Sequence, residues 1–251
     1  GVVEFRNVCF RYPDATEPVL EDISFTANRG EVVAFIGSTG SGKSTVVNLV
    51  PRFYDATEGE VLVDGVNVRD YSLDALRNKL GYVPQSAVLF SGTIASNVGY
   101  GDSGKPAPTL DEIRRAVAIA QGTEFVEKMP EKYDAPIARG GTNVSGGQKQ
   151  RLSIARAVAR NPEIYIFDDA FSALDYRTDR ALRSALKRET NGATCLIVAQ
   201  RIGTIRDADK IVVLNEGRVA GIGTHAELLK SCEVYREIAH SQLSEEELKH
   251  A

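Results

Sequence analysis

The sequence predicts an α/β protein with a core of mainly parallel strands, an N-terminal antiparallel β subdomain and an inserted α-helical subdomain. Three observations support this prediction. The first seventy residues contain apolar segments separated by turns, residues 85–160 follow helical spacing, and later strands alternate with helical stretches. We expect a single domain over residues 1–251, with 1–84 and 161–251 as the core and 85–160 as the helical subdomain.

The first seventy residues are predicted to be mostly strand, from short apolar or alternating segments. These predicted strands are residues 2–9, 23–27, 31–36, 60–63 and 66–68. Asp64 and Gly65 separate the last two and are a strong signal for a two-residue hairpin. A helix is predicted over residues 44–50, where Pro51 stops it.

The second half of the chain alternates between strand and helix signals. Strands are predicted at residues 164–167, 194–198 and 210–214, separated by helical stretches such as 178–187. This alternation indicates a parallel α/β core. The charged tail at residues 244–250 is predicted to be a frayed helix.

Composition indicates an ordinary soluble globular protein, since 43% of the 251 residues are hydrophobic and 25% are charged. The net charge of −4 argues against a nucleic-acid partner or a broad contact with anionic membranes. No apolar run approaches the roughly eighteen residues that span a bilayer, and no signal peptide opens the chain. The three widely spaced cysteines favour a reducing cytosolic compartment over a disulfide framework.

A glycine-rich segment fits the pattern G-x-x-x-x-G-K-[ST] completely and lies between an apolar strand and a helical segment. Glycines let successive backbone N–H groups curve around phosphate oxygens, and a helix start adds partial positive charge. Lys43 is predicted to reach the β- and γ-phosphates of a nucleotide, and the Ser44 hydroxyl to coordinate Mg²⁺. The predicted nucleotide-binding residues of this phosphate loop are Gly37, Ser38, Thr39, Gly40, Ser41, Gly42, Lys43, Ser44 and Thr45.

Two further segments are typical of phosphate and magnesium sites. Residues 164–167 form an apolar strand that ends at Asp168, which is well placed for the Mg²⁺ shell, directly or through water. Ser145 begins a predicted helix, and its hydroxyl with the amides of Gly146 and Gly147 can form a second anion-binding site. Two phosphate-binding helix starts far apart in sequence indicate a nucleotide shared between two molecules.

Together these motifs resemble the ATPase domain of ABC transporters. The residues that carry the resemblance are the phosphate loop, Gln85, Ser145, Gly146, Gly147, Gln148, Asp168 and Ser172-Ala173-Leu174-Asp175, which follow the family's order over nearly the whole chain. The resemblance implies a P-loop NTPase core that binds ATP and Mg²⁺. It also implies head-to-tail dimers, in which each ATP lies between the phosphate loop of one chain and the Ser-Gly-Gly-Gln signature of the other.

The resemblance assigns roles to two further residues. Gln85 matches the family's glutamine that contacts the Mg²⁺ shell and relays to the membrane domain. Tyr12 matches the aromatic residue that stacks on adenine. Stacking of a base on an aromatic ring contributes roughly 1–3 kcal/mol and tolerates changes of the base.

Two catalytic positions depart from the family's pattern. Asp169 stands where the family carries the glutamate that polarises the attacking water. The missing methylene withdraws the carboxylate, and misplacement of about 1 Å can cost about a hundredfold in rate. Gln200 replaces the family's histidine, and its amide can donate to the γ-phosphate but cannot titrate. The predicted catalytic set is therefore Asp169, Gln200, Gln85 and Lys43.

Both departures together resemble the degenerate-site subunit of heterodimeric bacterial multidrug exporters. This resemblance implies slow hydrolysis in the chain's own site and a largely intact signature, with Val144 in place of leucine, donated to a non-identical ATPase partner. It also implies a transmembrane exporter domain as partner, at the cytoplasmic face of the cell membrane. The sequence fits either a part of a longer protein or a separately encoded subunit, and because the ATPase domain starts at residue 1 we favour the first.

Alternative functions remain open at this point. In the first, the chain is a non-catalytic dimerisation or regulatory module, and bound ATP only holds two chains together. In the second, two copies of this chain form a homodimeric exporter ATPase. A soluble ABC protein of DNA repair or translation would need a long coiled-coil insertion or a second ATPase domain, and the sequence contains neither.

Overall fold

The computed structural model of the chain describes residues 1–190 and 192–243. Within them the chain divides into two compact units. The first comprises residues 1–76 and resumes at Gly192, and the second begins at Arg77. No helix in the described part of the chain has the length and apolar character needed to cross a membrane.

The strands and helices in chain order define the labels used below. The strands are β1 (Val3–Phe10), β2 (Leu20–Ala27), β3 (Val32–Gly37), β4 (Glu58–Val63), β5 (Val66–Asn67), β6 (Leu80–Val83), β7 (Gly92–Thr93), β8 (Pro136–Ile137), β9 (Ile164–Asp168), β10 (Thr194–Val198), β11 (Lys210–Asn215) and β12 (Arg218–Gly223). The helices are α1 (Lys43–Asn48), α2 (Leu73–Arg77), α3 (Ile94–Val98), α4 (Leu110–Ile119), α5 (Thr123–Glu127), α6 (Gly146–Ala159), α7 (Tyr176–Glu189), α8 (Ile202–Ile205), α9 (His225–Ser231) and α10 (Glu233–Gln242).

The first unit contains an antiparallel sheet and a group of mainly parallel strands. The antiparallel sheet has the order β2-β1-β4-β5. In the second group the order is β12-β11-β3-β10, where β10 and β11 run parallel to β3, and β12 is antiparallel to β11. The predicted combination of a parallel core with an N-terminal antiparallel subdomain is confirmed.

Aromatic side chains link the two strand groups of the first unit. The Phe5 and Phe25 rings stack with centroids 4.6 Å apart, and Phe25 meets Phe35 of β3 edge-on at 5.2 Å. Phe5 and Phe35 are almost completely buried, and burial of a side chain of this size contributes about 1.5–3 kcal/mol. This apolar seam therefore fixes β3, the strand that leads into the phosphate loop.

The predicted hairpin lies between β4 and β5, where Val63 pairs with Val66. Asp64 has a φ of 53° and Gly65 a φ of 79°, as a two-residue turn of type I′ requires at both positions. Helix α1 ends two residues short of the prediction, because residue 50 precedes Pro51, whose ring disfavours helical backbone there.

The second unit contains the parallel pair β6 and β9, with Leu80 opposite Ile164. Helix α6 buries Leu152, Ala155 and Val158, so the helical spacing predicted for these residues is confirmed. Helices α3 to α6 all lie in this unit, and the predicted boundaries of the helical subdomain at 85–160 stay a prediction. Strand β12 and helices α9 and α10 were not predicted, and the predicted tail helix at 244–250 lies outside the described residues.

Candidate nucleotide-binding site

The phosphate loop connects β3 to α1 in the first unit. Gly40 and Gly42 have φ values of 78° and 101°, a left-handed backbone that glycine adopts without steric cost. At Gly37 a Cβ atom would lie 2.3 Å from the carbonyl oxygen of Leu214 on the neighbouring β11. Strand packing therefore requires glycine at position 37 of the pattern, and backbone conformation favours it at position 42 and at Gly40 between them.

The Lys43 ammonium lies inside the curve of this loop. Its Nζ donates to the carbonyl oxygens of Gly37 at 2.7 Å and Ser38 at 3.3 Å, and only 9% of the residue is exposed. A buried ammonium needs such acceptors, because burial without them is costly. The charge is thus already positioned where anionic phosphate oxygens can take over from neutral carbonyl oxygens.

Tyr12 belongs to a cluster of three aromatic rings near the phosphate loop. Its ring meets Phe10 at 4.8 Å and Tyr54 at 5.2 Å, both edge-on, and its hydroxyl lies 3.2 Å from Thr45 Oγ1. The contact with Thr45 connects the predicted adenine-stacking residue to the helix that carries Lys43. Sequence reasoning missed Tyr54, since an aromatic residue a few positions after a helix-ending proline is too common to be a signal.

We expect Tyr12→Ala to weaken ATP binding by about 10- to 100-fold, the equivalent of the 1–3 kcal/mol of one stacking contact. Tyr12→Phe keeps the ring and loses only the hydroxyl contact with Thr45, so it should retain most of the affinity. Titration calorimetry with ATP checks both variants. Equal losses for alanine and phenylalanine would contradict stacking and point to the hydroxyl contact instead.

Gln200 follows the carboxyl end of β10, next to the carboxyl end of β3, where the phosphate loop begins. Val198 pairs with Phe35, and the Ala199 N–H donates to the Phe35 carbonyl oxygen at 3.3 Å. Gln200 itself is exposed. Because the carboxyl ends of adjacent parallel strands share one sheet edge, this residue and the phosphate loop lie on the same side of the first unit.

The second unit brings together Gln85, Asp168 and Asp169 at the end of β9. Gln85 Nε2 donates to Asp169 Oδ2 at 3.0 Å, and the Tyr82 hydroxyl donates to Asp168 Oδ2 at 3.3 Å. Burial, reinforced by the Asp168 carboxylate, raises the pKa of Tyr82 far above its ordinary value, so the phenol stays a donor. Asp169 is 8% exposed and has a φ of 53°, a left-handed conformation that aspartate tolerates better than most residues.

The Ser-Gly-Gly-Gln signature forms the start of α6. The Ser145 hydroxyl accepts from the Gln148 N–H at 3.1 Å, and Gln148 Oε1 accepts from the Ser145 N–H at 3.0 Å, a reciprocal capping box. Ser145 and Gly146 are exposed, and a Cβ on Gly146 would meet no atom of the described residues within 4 Å. The remaining N–H groups of this first turn have no intrahelical acceptor, as at any helix start.

Two neighbouring contacts hold this turn and the next helix. Arg151 donates from Nε to the Gly147 carbonyl oxygen at 3.2 Å, and its guanidinium lies over the Phe125 ring. Asp175 caps α7 by accepting from the Thr178 N–H at 2.8 Å, and this backbone hydrogen bond lowers the pKa of its carboxyl group. Asp175 therefore remains ionised at neutral pH.

The predicted site residues thus fall into three groups. The phosphate loop, Tyr12 and Gln200 lie in the first unit, Gln85 with Asp168 and Asp169 lies at the end of β9, and the signature lies at the start of α6. A strand-loop-helix phosphate loop on a mainly parallel sheet defines a P-loop NTPase domain. The roles assigned to the individual residues stay predictions.

Comparison with known proteins gives the family. A family model described as ABC transporter matches residues 20–172. The chain therefore belongs to the ABC transporter family, as an ATP-binding domain homologous to those of exporters.

Relatives share this domain over almost its full length. The chain is 48% identical over 242 residues to an uncharacterized ABC transporter ATP-binding protein of Mycobacterium tuberculosis, covering 96% of this chain and 41% of that protein. It is 44% identical over 230 residues to the ATP-dependent lipid A-core flippase of Pseudomonas aeruginosa, covering 91% and 38%. The structure of a bacterial Atm1-family ABC exporter with ATP bound matches with a TM-score of 0.91 and 39% identity, covering 97% and 42%. The chain thus spans about two fifths of the length of these relatives.

Proposed function

We propose that this chain binds Mg²⁺–ATP, dimerises around it and drives export across a membrane, with slow hydrolysis in its own site. The observation that supports the dimer is the exposed glycine at the start of α6, Gly146. Glycine has a lower helix propensity than alanine, yet the described residues leave open space around Gly146 at the first position of α6. A glycine that its own chain does not need is explained if another molecule's phosphate approaches the bare backbone.

The oxygen atoms of the three residues predicted to bind the metal fit Mg²⁺. Ser44 supplies a hydroxyl, Asp168 a carboxylate and Gln85 an amide oxygen, and Mg²⁺ prefers such hard oxygen ligands. Gln85 uses its amide nitrogen on Asp169, so its oxygen is the atom suited to a metal or a metal-bound water. When bound, the ion would neutralise charge on the β- and γ-phosphates.

The residues of the chain divide the hydrolytic reaction between them. Lys43 and the loop amides bind the phosphates, and Gln200 donates a hydrogen bond to the γ-phosphate. A water oxygen attacks the γ-phosphorus while the bond to the bridging oxygen of ADP breaks. The proton of that water passes to the Asp169 carboxylate, and ADP and phosphate leave.

Two residues of this site, Asp169 and Gln200, support slow turnover. The Asp169 carboxylate is one methylene shorter than glutamate, and the amide of Gln85 holds one of its oxygens at 3.0 Å. A hydrogen bond to the charged form of a carboxylate weakens it as a base. Gln200 cannot gain a positive charge near the γ-phosphate as a histidine can. Both effects slow the chemical step more than they weaken ATP binding.

The signature supports a role in a partner's site. Ser145 caps this helix start, Ser145 and Gly146 are exposed and Gly147 is half-buried. Such a helix start is suited to the γ-phosphate of an ATP held by another chain. A non-identical ATPase domain that carries the glutamate and histidine would then supply the fast site. This chain would complete that site while retaining ATP in its own.

An exposed apolar surface of the second unit supports contact with a transmembrane domain. Val88, Phe90 and Tyr100 are 53%, 41% and 54% exposed, and the Arg156 guanidinium lies 5.6 Å from the centroids of the last two rings. Exposed aromatic and arginine side chains are enriched at protein interfaces. This contact would place the chain at the cytoplasmic face of the cell membrane.

The dimer is tested by a pair of variants with the same local geometry. Ser145→Ala removes the cap of α6, and Thr109→Ala removes the cap of α4, where Thr109 and Glu112 form an equivalent capping box. Each should cost about 1 kcal/mol of folding stability. Only Ser145→Ala should also weaken ATP-dependent dimerisation, by at least about tenfold, since it loses a hydrogen bond to a charged phosphate.

The measurement is dimer mass by light scattering at increasing protein concentration, with Mg²⁺–ATP and with ADP. The unmodified chain is measured alone and mixed with its Asp169→Glu, Gln200→His variant, which stands in for a competent partner. Absence of any ATP-dependent dimer, or an equal effect of the two alanine variants, would overturn the proposed interface.

A further inference from the structure

The side chain of Gln242 at the end of α10 contacts the backbone of the loop that carries Gln200. Its Oε1 accepts from the Ile202 N–H at 2.8 Å, and its Nε2 donates to the Gln200 carbonyl oxygen at 2.7 Å. One amide therefore pairs with the loop through both of its polar atoms, as a neighbouring strand would. The opposite amide orientation would place donor against donor and acceptor against acceptor.

Helix α10 is itself firmly held in the first unit. Tyr235 and Ala239 are completely buried, and the Tyr235 hydroxyl is hydrogen-bonded to His225 Nδ1 of α9. Burial lowers the pKa of His225, so the imidazole is neutral at physiological pH and this contact is between uncharged groups. Gln242 thus reaches the loop from an anchored element.

The loop between β10 and α8 is fixed by apolar burial on both sides of Gln200. Val198 and Ile202 are 1% and 0% exposed, whereas Gln200 is exposed. The two hydrogen bonds from Gln242 act on the backbone between these buried ends. They restrict the direction in which the Gln200 side chain leaves the loop.

We propose that Gln242 is a positioning residue that holds Gln200 toward the γ-phosphate of ATP. This inference rests on the proposed function, in which Gln200 contacts that phosphate. Gln200 is uncharged, so it can contribute only through a hydrogen bond, which depends on the distance and angle of one N–H donor. A fixed loop is consequently more important here than it would be for a charged residue.

The test compares Gln242→Ala and Gln242→Glu with Gln200→Ala. Glutamate keeps an acceptor for the Ile202 N–H but presents an oxygen to the Gln200 carbonyl oxygen in place of a donor. The matched control is Ser241→Ala, because the Ser241 hydroxyl bonds only to the Ile238 carbonyl oxygen of its own helix among the contacts described. Titration calorimetry gives the affinities for Mg²⁺–ATP and Mg²⁺–ADP.

Both Gln242 variants should lower the ratio of ATP to ADP affinity by about tenfold, the equivalent of one phosphate hydrogen bond, and leave ADP affinity unchanged. Amide exchange should accelerate at Ile202 in Gln242→Ala and stay slow in the control. Combining Gln242→Ala with Gln200→Ala should lower the ratio no further than Gln200→Ala does alone, because the two residues act as a unit.

An unchanged affinity ratio in folded Gln242 variants would overturn the positioning role and leave ATP binding intact. Equal losses of ATP and ADP affinity would also overturn it, since they indicate general damage to the fold. A parent chain that binds neither nucleotide would contradict the proposed function itself. The control variant separates these results from nonspecific effects at the end of α10.

Discussion

The Asp169→Glu, Gln200→His double variant should hydrolyse ATP about a hundredfold faster than the parent chain, since about 1 Å of misplacement costs that much in rate. Glutamate extends the base toward the attacking water, and histidine adds a group that can carry positive charge near the γ-phosphate. Phosphate release at saturating Mg²⁺–ATP measures the gain. ATP affinity should change little, because the phosphate loop and Tyr12 are untouched and histidine at position 200 keeps a hydrogen-bond donor for the γ-phosphate.

Single variants and stability controls make this result interpretable. Gln200→His alone should give a smaller gain in turnover, because the Asp169 carboxylate still does not reach the attacking water. Asp169 has a φ of 53°, so glutamate there should cost on the order of 1 kcal/mol of folding stability. Unfolding midpoints check that the variant is folded at the assay temperature. A folded double variant with no gain in turnover would favour the non-catalytic dimerisation module.

Lys43→Ala should lower ATP affinity by about a hundredfold or more, the second large effect expected. In the proposed site the lost ammonium bonds to two phosphates, and each hydrogen bond to a charged group contributes about 1.5–3 kcal/mol. Lys43 also holds the Gly37 and Ser38 carbonyl oxygens, so the loop loses part of its internal support. Titration calorimetry with ATP and with ADP measures the loss, which should affect both nucleotides.

Lys105→Ala is the matched control. Lys105 also donates its ammonium to two backbone carbonyl oxygens, those of Arg160 at 3.3 Å and Asn161 at 2.8 Å, but in the second unit. This variant should lose similar local contacts and keep full ATP affinity. If both lysine variants lost affinity equally, the role of Lys43 in phosphate binding would be wrong.

Slow hydrolysis and an intact signature have different consequences for the two members of a dimer. Under the proposed function, a site that retained ATP would keep the dimer interface closed for longer, while Ser145 and Gly146 would remain available to a faster partner site. The variants at Asp169 and Gln200 test the chain's own site, and Ser145→Ala with its control Thr109→Ala tests the signature. An impaired own site with a defective signature would indicate loss of function, and an impaired own site with a working signature would indicate division of labour.

Much of the fold is readable from local patterns. The strand periodicity, the Asp64-Gly65 turn and the helix spacing of Leu152, Ala155 and Val158 were predicted, because each depends on residues close together in sequence. Strand β12 was missed because its burial is only partial and its glycines weaken any strand signal. Helix α9 has a threonine cap at residue 224, but its short length hides its periodicity.

The sequence by itself determined the phosphate loop, the strand-ending acid, the signature and the two departures at Asp169 and Gln200. These features are encoded by residue type at fixed spacing, since backbone conformation and phosphate binding act within one turn. Only the tertiary structure decided which side chains surround them. Gln85 contacts Asp169 across 84 residues, and Gln242 contacts Gln200 across 42. Such pairings depend on how strands and helices pack, and no local periodicity records them.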